Sequence, residues 1–351
     1  MVETTKLSTT GVGTEHTGDK SKSSTEPAKT PIRIALFTVM GFAVHTVISN
    51  VVDQREDLEI AVVVTCPGPK SRRSDAHIEV VQALWDSGHG NIDVVVSNKK
   101  SNYAKMMRLY KIDMIISMGY PWLLPVDILT PNEPEKYPGS PRLGAVNFHN
   151  SLLPLYRGPN SFGWSICNGD SEFGFCSHRM DGAFDEGNIF LSWTVPDDDI
   201  NLPIESLMSG FISKFPQKVS ETIDKMIEGD PGTPQVGEGS HAPKFTEDFR
   251  WIDFAKSTAR EGHNKVRAFY GERDIPKGAL ATVEGTEICI HRTFYRASQD
   301  CEDATAGAVT SRGPAENESE SGGLPSTFFV KCKDTTLEIL EWKEHASLKA
   351  N

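Results

Sequence analysis

Long hydrophobic runs are missing from this chain of 351 residues. A helix that spans a bilayer needs about 20 consecutive apolar residues, and the apolar stretch around Ile60–Val64 is far shorter than that. With 38% apolar and 24% charged residues, the composition is typical of a globular protein and predicts no association with a membrane. At about 150 residues per domain, the length predicts about two domains.

Paired cysteines and an excess of positive charge are also missing. The formal net charge of −12 repels phosphate backbones and argues against nucleic acid as the main partner. The six cysteines form no CxxC pair and do not stand at zinc-ligand spacing with histidines. Scattered single cysteines are typical of reduced intracellular thiols, so we predict neither a metal site nor a disulfide framework.

The first 30 residues contain no arginine and almost no large apolar side chain. This composition predicts a disordered tail over residues 1–30. A secretory signal has an apolar core, and a mitochondrial presequence is rich in arginine and poor in acidic residues. Neither description fits, because the four lysines of the tail are balanced by four acidic residues. We therefore expect a cytoplasmic protein.

Predicted strands and helices alternate from Ile32 onward. The segments "IRIALFTV", "LEIAVVVTC", "IDVVVSN", "IDMIISMGY" and "GAVNFH" predict strands, and segments with helical apolar spacing separate most of them. This alternation predicts an α/β fold, namely a Rossmann-like, open and mostly parallel sheet with helices on both faces. The first turn, Thr38 to Phe42, has one glycine and no GxGxxG motif, so a dinucleotide site is not supported.

The pattern changes after Arg157. "EFGFCSHRM" and "NIFLSWTV" predict two more strands, and a long amphipathic helix ends at Gly229. From about Val266 the chain turns to short predicted strands that suit a small C-terminal β-barrel of the OB-like type. The predicted domains are a catalytic domain at 31–240, a linker at 241–264 and the barrel at 265–351. An acidic segment rich in small residues, 298–323, is predicted to be a disordered loop within the barrel.

Two polar side chains end the fifth predicted strand, "GAVNFH". Because side chains alternate along a strand, Asn147 and His149 point to the same side. They stand at its carboxyl end, beside which the ligand crevice of open α/β sheets lies. A histidine in such a place is usually hydrogen-bonded structure, and Asn147 is equally suited to cap the following loop. A functional interpretation therefore needs a further partner.

An acidic loop, "RMDGAFDEGNIF", joins the two later strands. Glycine-bounded acidic loops are most often solvated turns. An aspartate placed against His149, however, would stabilise the imidazolium and raise the histidine pKa, which provides acid–base capacity near neutral pH. Asn147 adds an uncharged N–H donor that suits a developing oxyanion. This combination predicts acyl-type transfer to an acceptor amine through a tetrahedral intermediate.

Two motifs resemble signatures of the 10-formyltetrahydrofolate-dependent formyltransferases. "NFHNSLLPLYRG" resembles the N-x-H-x-S-L-L-P signature, and "GFCSHRMDGAFDEGNIF" resembles the second one, which ends in D-x-G. They occur in the order of the family, with 38 positions from Asn147 to Asp185. The resemblance covers about residues 32 to 345, weakly in the barrel. It implies a catalytic trio in which Asn147 and His149 stabilise the oxyanion, while Asp185 orients and charges His149 and helps to remove the amine proton.

The resemblance also implies 10-formyltetrahydrofolate as formyl donor, without a metal. The loop after the fourth strand, the "SLLP" bend and the acidic loop would line the folate pocket. The implied wall residues are Tyr120, Trp122, Leu123, Leu124, Ser151, Leu152, Leu153, Pro154, Asp181 and Phe184. Without the trio, the apolar members of the first loop would be interpreted as core packing.

The identity of the acceptor is left open by the sequence. We favour a primary amine on a small molecule, such as an amino sugar, an amino acid or a secondary metabolite. Methionyl-tRNA formyltransferase is an alternative, because Lys70, Arg72 and Arg73 suit a loop that contacts a tRNA acceptor stem. Against tRNA, residues 271–351 hold nine basic and 14 acidic residues, whereas a tRNA-binding barrel should be basic.

Two further alternatives differ in chemistry. The chain also resembles the hydrolase domain of 10-formyltetrahydrofolate dehydrogenase, which has an apolar residue in place of the asparagine of the trio, so Asn147 favours transfer over hydrolysis. A non-catalytic folate-binding protein is the last alternative, and the intact trio argues against it. The sequence leaves the oligomeric state open.

Overall fold

A seven-stranded sheet contains the polar strand end predicted above. The computed structural model describes residues 30–67, 75–98, 102–131, 133–202, 204–270, 278–297, 304–312, 324 and 326–348. The strands of this sheet are β1 (Ile32–Thr38), β2 (Leu58–Thr65), β3 (Val94–Val96), β4 (Met114–Met118), β5 (Ala145–His149), β6 (Glu172–Arg179) and β7 (Ile189–Pro196). Their order across the sheet is β3-β2-β1-β4-β5-β6-β7. The first five are parallel and the last two antiparallel, so the predicted mostly parallel α/β sheet is confirmed.

Helices connect most of these strands. They are α1 (Gly41–Val44), which continues as a π-helical turn at His45–Ser49, then α2 (Ala76–Asp86), α3 (Tyr103–Leu109), α4 (Ser161–Asn168) and α5 (Ile204–Ile227). Within the described ranges, no helix has the length and apolar character needed to cross a membrane.

The continuous apolar run of β1 follows from its position between two cores. Ile34 and Leu36 belong to the larger core, which includes side chains of α1, α2 and α5. Ala35 and Phe37 belong to the smaller core on the opposite face, where α3 packs. Both faces of this strand are therefore covered, as expected for a central parallel strand.

The direction of chain progression across the sheet reverses between β1 and β4. A crevice is expected beyond the carboxyl ends of the strands at such a point. β5 lies next to β4, and Asn147 is in register with Ser117 of that strand. On its other side β5 pairs with β6, which places His178 opposite Asn147 and Cys176 opposite His149. The sequence predicted β6 as a strand but not this pairing.

A second, six-stranded sheet forms the C-terminal region. Its strands are β8 (Trp251–Ile252), β9 (Ala279–Val283), β10 (Thr286–Phe294), β11 (Val309–Arg312), β12 (Phe328–Lys331) and β13 (Thr336–Glu344). Their order is β11-β12-β13-β10-β9-β8, with only β8 and β9 parallel among the described pairs. The remaining helices are α6 (Ala259–Tyr270) and α7 (His345–Leu348).

Two predicted segments differ from the structure. Part of the predicted disordered loop, 298–323, forms β11, so that part of the prediction is wrong. β11 is held by its antiparallel pairing with β12, which local composition does not reveal. The predicted linker, 241–264, contains β8 and the start of α6. Its Ile252 and Phe254 are buried in the core, so this segment is part of the fold and not a surface linker. Of the predicted tail, 1–30, all but Thr30 lies outside the described residues, as do 298–303 and 313–323.

Helix α6 connects the second sheet to the end of β7. The Arg267 guanidinium donates to both carboxylate oxygens of Asp197, at 2.9 Å each, and both side chains are buried. One turn earlier, His263 contacts the hydroxyl of Thr293 at 2.8 Å and the carbonyl of Ile200 at 2.7 Å. A buried polar network therefore joins the two parts of the molecule.

Candidate active site

The end of β5 separates apolar from polar side chains. Val146 and Phe148 lie in the larger core, while Asn147 and His149 face the opposite side of the sheet, as the strand periodicity predicts. The His149 side chain is only 8% exposed, so its imidazole is largely withdrawn from water. Its Nε2 lies 3.1 Å from the carbonyl oxygen of Tyr156, to which it donates. This bond leaves Nδ1 to face the acidic loop.

Asp185 reaches this strand end from the loop between β6 and β7. Its Oδ1 lies 3.6 Å from Nδ1 of His149, and its Oδ2 accepts a hydrogen bond from the backbone N–H of Gly158 at 2.9 Å. The side chain is 11% exposed. The structure thus brings together the aspartate and the histidine that the two sequence motifs placed 36 positions apart.

A second histidine, His178, belongs to the cluster and was not predicted from the sequence. Its Nε2 lies 3.2 Å from Nδ2 of Asn147 and 3.4 Å from Oδ1 of Asp185. Its Nδ1 donates to the carbonyl of Arg179 at 3.0 Å. His178 precedes Asp185 by seven positions in "SHRMDGAFD". A histidine near the end of a buried strand could have been named as a candidate site residue, but only the antiparallel register places it opposite Asn147.

Burial controls the charge state of the pair. Burial lowers the pKa of His149 and outweighs the raising effects of Asp185 and the Tyr156 carbonyl. Asp185 does raise the pKa of His149, as expected, but burial, which the sequence does not reveal, has the larger effect and sets the net direction. Burial also raises the pKa of Asp185, but the hydrogen bond with His178 and the charges of both histidines outweigh it, so the net pKa is below the usual value. An ionised carboxylate thus faces a neutral imidazole near pH 7.

Glycine is required at the end of the acidic loop. A Cβ atom on Gly187 would lie 1.9 Å from the carbonyl oxygen of Arg179, a separation that no side chain tolerates. Asp185, two residues earlier, has a φ of 57°, in the left-handed region that non-glycine residues rarely adopt. The D-x-G spacing is thus explained by a tight turn that presents the carboxylate.

The predicted apolar wall residues differ in exposure. Leu124 and Leu153 are buried, and Leu124 belongs to the smaller core. Leu123 and Phe184 are exposed at 43% and 58%, a high fraction for large apolar side chains. Leu152 packs tightly on Gly174, where an added Cβ would lie 2.2 Å from its Cγ. The two exposed side chains have the apolar area that a bound ligand would cover.

The polar and aromatic wall residues form local contacts. The Tyr120 hydroxyl contacts those of Ser97 and Tyr103, and its ring meets Trp122 edge-on at 5.9 Å between centroids. Ser151 donates to the carbonyl of Leu155 at 2.7 Å. Pro154 is half-buried, and its carbonyl accepts from the N–H of Ser240. The "SLLP" bend is therefore fixed by a local hydrogen bond from Ser151 and by one from the backbone of Ser240.

A cavity of about 550 Å³ lies beside the acidic loop. Asp181 lines it together with Val126, Leu129 and Met180. The loop after β4 and the acidic loop approach each other here, since a Cβ on Gly182 would lie 3.1 Å from Val126. Its volume is within the usual range of small-molecule sites. Of the ten predicted wall residues, only Asp181 lines this cavity.

Thiol and metal chemistry receive no support from this cluster. Cys176 stands opposite His149 in the β5–β6 register, but burial raises its pKa to about 12, so it is a thiol at neutral pH. Among the described residues, no group of three His, Cys, Asp or Glu side chains is arranged to hold a metal ion. The cluster itself supplies an amide donor, two imidazoles and a carboxylate.

The family model "Formyl transferase" matches residues 32–209, about half of the chain, including the whole cluster. The chain belongs to the formyl transferase family. GDP-perosamine N-formyltransferase of Brucella melitensis biotype 1 is 42% identical over 129 residues, which are 37% of this chain and 46% of that protein. This match therefore spans about half the length of that relative.

Other members of the formyl transferase family are similar over longer ranges. Methionyl-tRNA formyltransferase of Clostridioides difficile is 31% identical over 215 residues, 60% of this chain and 66% of that protein. The crystal structure of an N-formyltransferase from Helicobacter canadensis in complex with folinic acid and dTDP-3-aminofucose superposes with a TM-score of 0.55. That superposition covers 89% of this chain and 100% of the other at 17% identity, and it supports a shared fold.

Proposed function

We propose that this protein transfers a formyl group from 10-formyltetrahydrofolate to a primary amine of a small molecule, with an amino sugar as the favoured acceptor class. The observation that carries the proposal is the convergence of Asn147, His149 and Asp185 at the end of β5. The 3.6 Å approach of Nδ1 of His149 to Oδ1 of Asp185 links an imidazole and a carboxylate in a water-poor site. Such a pair provides general acid–base catalysis.

The proton balance of the reaction fits this pair. The amine nitrogen loses one proton as its bond to the formyl carbon forms, and N10 of the folate gains one proton as its bond to that carbon breaks. A neutral His149 can accept the first proton, and the adjacent Asp185 carboxylate stabilises the imidazolium that results. Returning the proton to the folate nitrogen restores the starting state, so no other nucleophile is needed.

The proposed role of Asn147 is stabilisation of the oxyanion. Its Nδ2 directs one N–H toward Nε2 of His178, and among the described residues its second N–H has no hydrogen-bond partner. A donor held in place by a neighbour stabilises the tetrahedral intermediate without reorganisation. His178 therefore orients the amide.

The choice of acceptor rests on the relatives. One relative is named for GDP-perosamine and one solved neighbour contains dTDP-3-aminofucose, both of which are nucleotide-linked amino sugars. The folinic acid in the same neighbour supports a folate as formyl donor. We propose the exposed Leu123 and Phe184 as folate contacts, because both are apolar side chains on the loops that flank the trio.

Methionyl-tRNA is the second candidate acceptor. The observation in its favour is the 31% identity to methionyl-tRNA formyltransferase over 60% of this chain. Against it stands the acidic balance of residues 271–351, with nine basic and 14 acidic residues. Lys70, Arg72 and Arg73, which would contact the tRNA, lie outside the described residues. A nucleotide-linked sugar requires no basic C-terminal surface and is therefore favoured.

A single assay separates the candidates. The protein is incubated with 10-formyltetrahydrofolate and, in parallel, GDP-perosamine, dTDP-3-aminofucose, methionyl-tRNA or no amine, and the release of tetrahydrofolate is measured. We expect release that depends on an amino sugar, with the N-formyl product confirmed by mass spectrometry. Release with methionyl-tRNA alone would reassign the acceptor.

Two outcomes would contradict transfer itself. Equal release of tetrahydrofolate with and without amines, accompanied by free formate, would indicate a hydrolase. Binding of folinic acid without turnover in any arm would indicate a folate-binding protein that has no catalytic role. Isothermal titration with folinic acid therefore accompanies the assay.

A further inference from the structure

The strained backbone of Asp185 needs an external support. With a φ of 57°, this residue adopts a conformation that costs energy for any residue with a Cβ atom. Its side chain is anchored by the N–H of Gly158 and lies in contact with the two histidines. These contacts hold the carboxylate, but they do not hold the neighbouring peptide groups, which set the position and direction of the whole side chain.

The side-chain amide of Gln235 fixes those peptide groups. Its Nε2 donates to the carbonyl oxygen of Asp185 at 2.8 Å and to that of Gly187 at 2.9 Å. One amide thus uses both of its N–H groups on the two carbonyls that flank Glu186. Gln235 follows α5 by eight positions and lies outside the residues 32–209 that match the family model.

Arg157 in turn holds the amide of Gln235. Its Nη2 donates to Oε1 of Gln235 at 2.7 Å, which orients the amide so that both N–H groups face the turn. The backbone of Arg157 is itself fixed, because its N–H donates to the Ser240 carbonyl at 2.8 Å and its carbonyl accepts from Ala242 at 2.7 Å. The support therefore extends from the segment after "SLLP" to the turn that bears Asp185.

We propose that Gln235 is a positioning residue for the reaction, acting through Asp185. This inference rests on the proposed function, in which Asp185 stabilises the charged form of His149. Without the two bonds from Nε2, the turn relaxes toward a less strained backbone and the carboxylate withdraws from the imidazole. Small displacements of a catalytic group lower rates strongly, whereas ground-state binding of substrates at other contacts is unaffected.

Two substitutions of different kind test this role. Gln235→Met keeps the length of the side chain and removes both donors. Gln235→Glu keeps an acceptor for Arg157 but places a carboxylate oxygen against the carbonyls of Asp185 and Gly187. Gln217→Met is the matched control, because Gln217 is exposed on α5 and bonds only to Glu221 among the described contacts. All three variants are first compared with the wild type by thermal unfolding and circular dichroism.

The kinetic measurement compares how much each substitution changes kcat and how much it changes KM. We expect both Gln235 variants to lower kcat by about 10-fold to 100-fold, with KM for the folate and the amine within about twofold of the wild type. Gln217→Met should leave both constants unchanged. Losses confined to KM, or wild-type kcat in both Gln235 variants, would overturn the proposal.

A second readout is independent of turnover. The titration of His149, followed by NMR, reports the distance of Asp185, because that carboxylate raises the histidine pKa against the lowering effects of burial and of His178. We expect the His149 pKa to fall further in Gln235→Met and to be unchanged in Gln217→Met. If the wild type turns over no acceptor, the proposed function fails, while this titration still decides whether Gln235 positions Asp185. An unchanged titration in both Gln235 variants would show that it does not.

Discussion

At the residue scale, the proposed chemistry depends on three side chains from two separate segments. Asn147 and His149 were predictable because strand alternation fixes their common direction and the sheet type fixes their location. Asp185 was predictable only through the motif that contains it. His178 was not predictable in its role, because its contact with Asn147 arises from the register of two strands that the sequence does not specify. Its contact with Asp185 arises from a turn that the sequence does not specify either.

Replacing any member of the trio by alanine should mainly lower the rate. Asn147→Ala removes an N–H donor, and His149→Ala or Asp185→Ala removes part of the proton-transfer pair. We expect each to reduce kcat/KM by roughly 100-fold or more, measured as tetrahydrofolate release. His45→Ala, at an exposed histidine, is the control and should retain wild-type rates. Rates near those of the wild type in all three variants would refute the site assignment.

The pH dependence of turnover should reflect the lowered pKa of His149. Burial keeps the imidazole neutral to a lower pH than an ordinary histidine with a pKa near 6.5. We therefore expect kcat/KM to be level near neutral pH and to decrease only below that value, as His149 takes up a proton. In Asp185→Asn the remaining activity should decrease at still lower pH, because the carboxylate that raises this pKa is gone. A decrease of kcat/KM with its midpoint above pH 6.5 would contradict the assignment of this decrease to His149.

At the scale of elements, long apolar strands were predicted and short paired ones were not. β1 and β2 have seven and eight residues with nearly continuous apolar character, which identifies buried strands. β8 has two residues, too few for any periodicity. β11 lies in an acidic, small-residue segment and is held by β12. Such strands form because a neighbouring strand supplies hydrogen bonds. The local sequence does not contain this pairing, so it does not predict them.

The turn between β6 and β7 should not tolerate a side chain at Gly187. A Cβ atom there would meet the carbonyl of Arg179 at 1.9 Å, so the backbone must shift and carry Asp185 with it. We expect Gly187→Ala to lower kcat at least about 10-fold. Gly237→Ala is the control, because Gly237 also has a positive φ but a Cβ there meets no atom within 4 Å. Comparable activity of the two variants would show that the close contact at Gly187 is not limiting.

The contact of α6 with the end of β7 should contribute strongly to stability. Removing one partner of the buried Arg267–Asp197 pair leaves an uncompensated buried charge. We expect Arg267→Met to reduce the free energy of unfolding by about 3–5 kcal/mol in urea titrations. The exposed pair Arg292–Glu341 is the control, and Arg292→Met should cost about 1 kcal/mol or less. Adding Asp197→Leu to Arg267→Met should recover much of the loss, and failure to do so would assign the effect to packing.

At the scale of the whole molecule, one buried histidine makes the contact between the two sheets sensitive to pH. His263 on α6 is nearly inaccessible, and burial lowers its pKa from 6.5 to about 4. Its two ring nitrogens contact Thr293 of β10 and the carbonyl of Ile200, which follows β7. Protonation therefore opposes the folded state at the point where the second sheet meets the first.

The sign of this coupling determines a window of acid sensitivity. Below pH 6.5 the unfolded chain takes up a proton at His263, whereas the folded chain does so only near pH 4. Stability should therefore fall as the pH decreases through this window, by up to about 3 kcal/mol from this group alone. In urea titrations between pH 7 and pH 4, we expect His263→Gln to remove most of that loss, since glutamine can still donate to Ile200 and does not titrate. The exposed His45→Gln should retain it. Asp185 affects stability only at more acidic pH, because its pKa is lowered. His149, whose pKa burial also lowers, adds a loss in the same window that His263→Gln leaves in place. If His263→Gln and the wild type lose stability in parallel, His263 does not control the acid response of the fold.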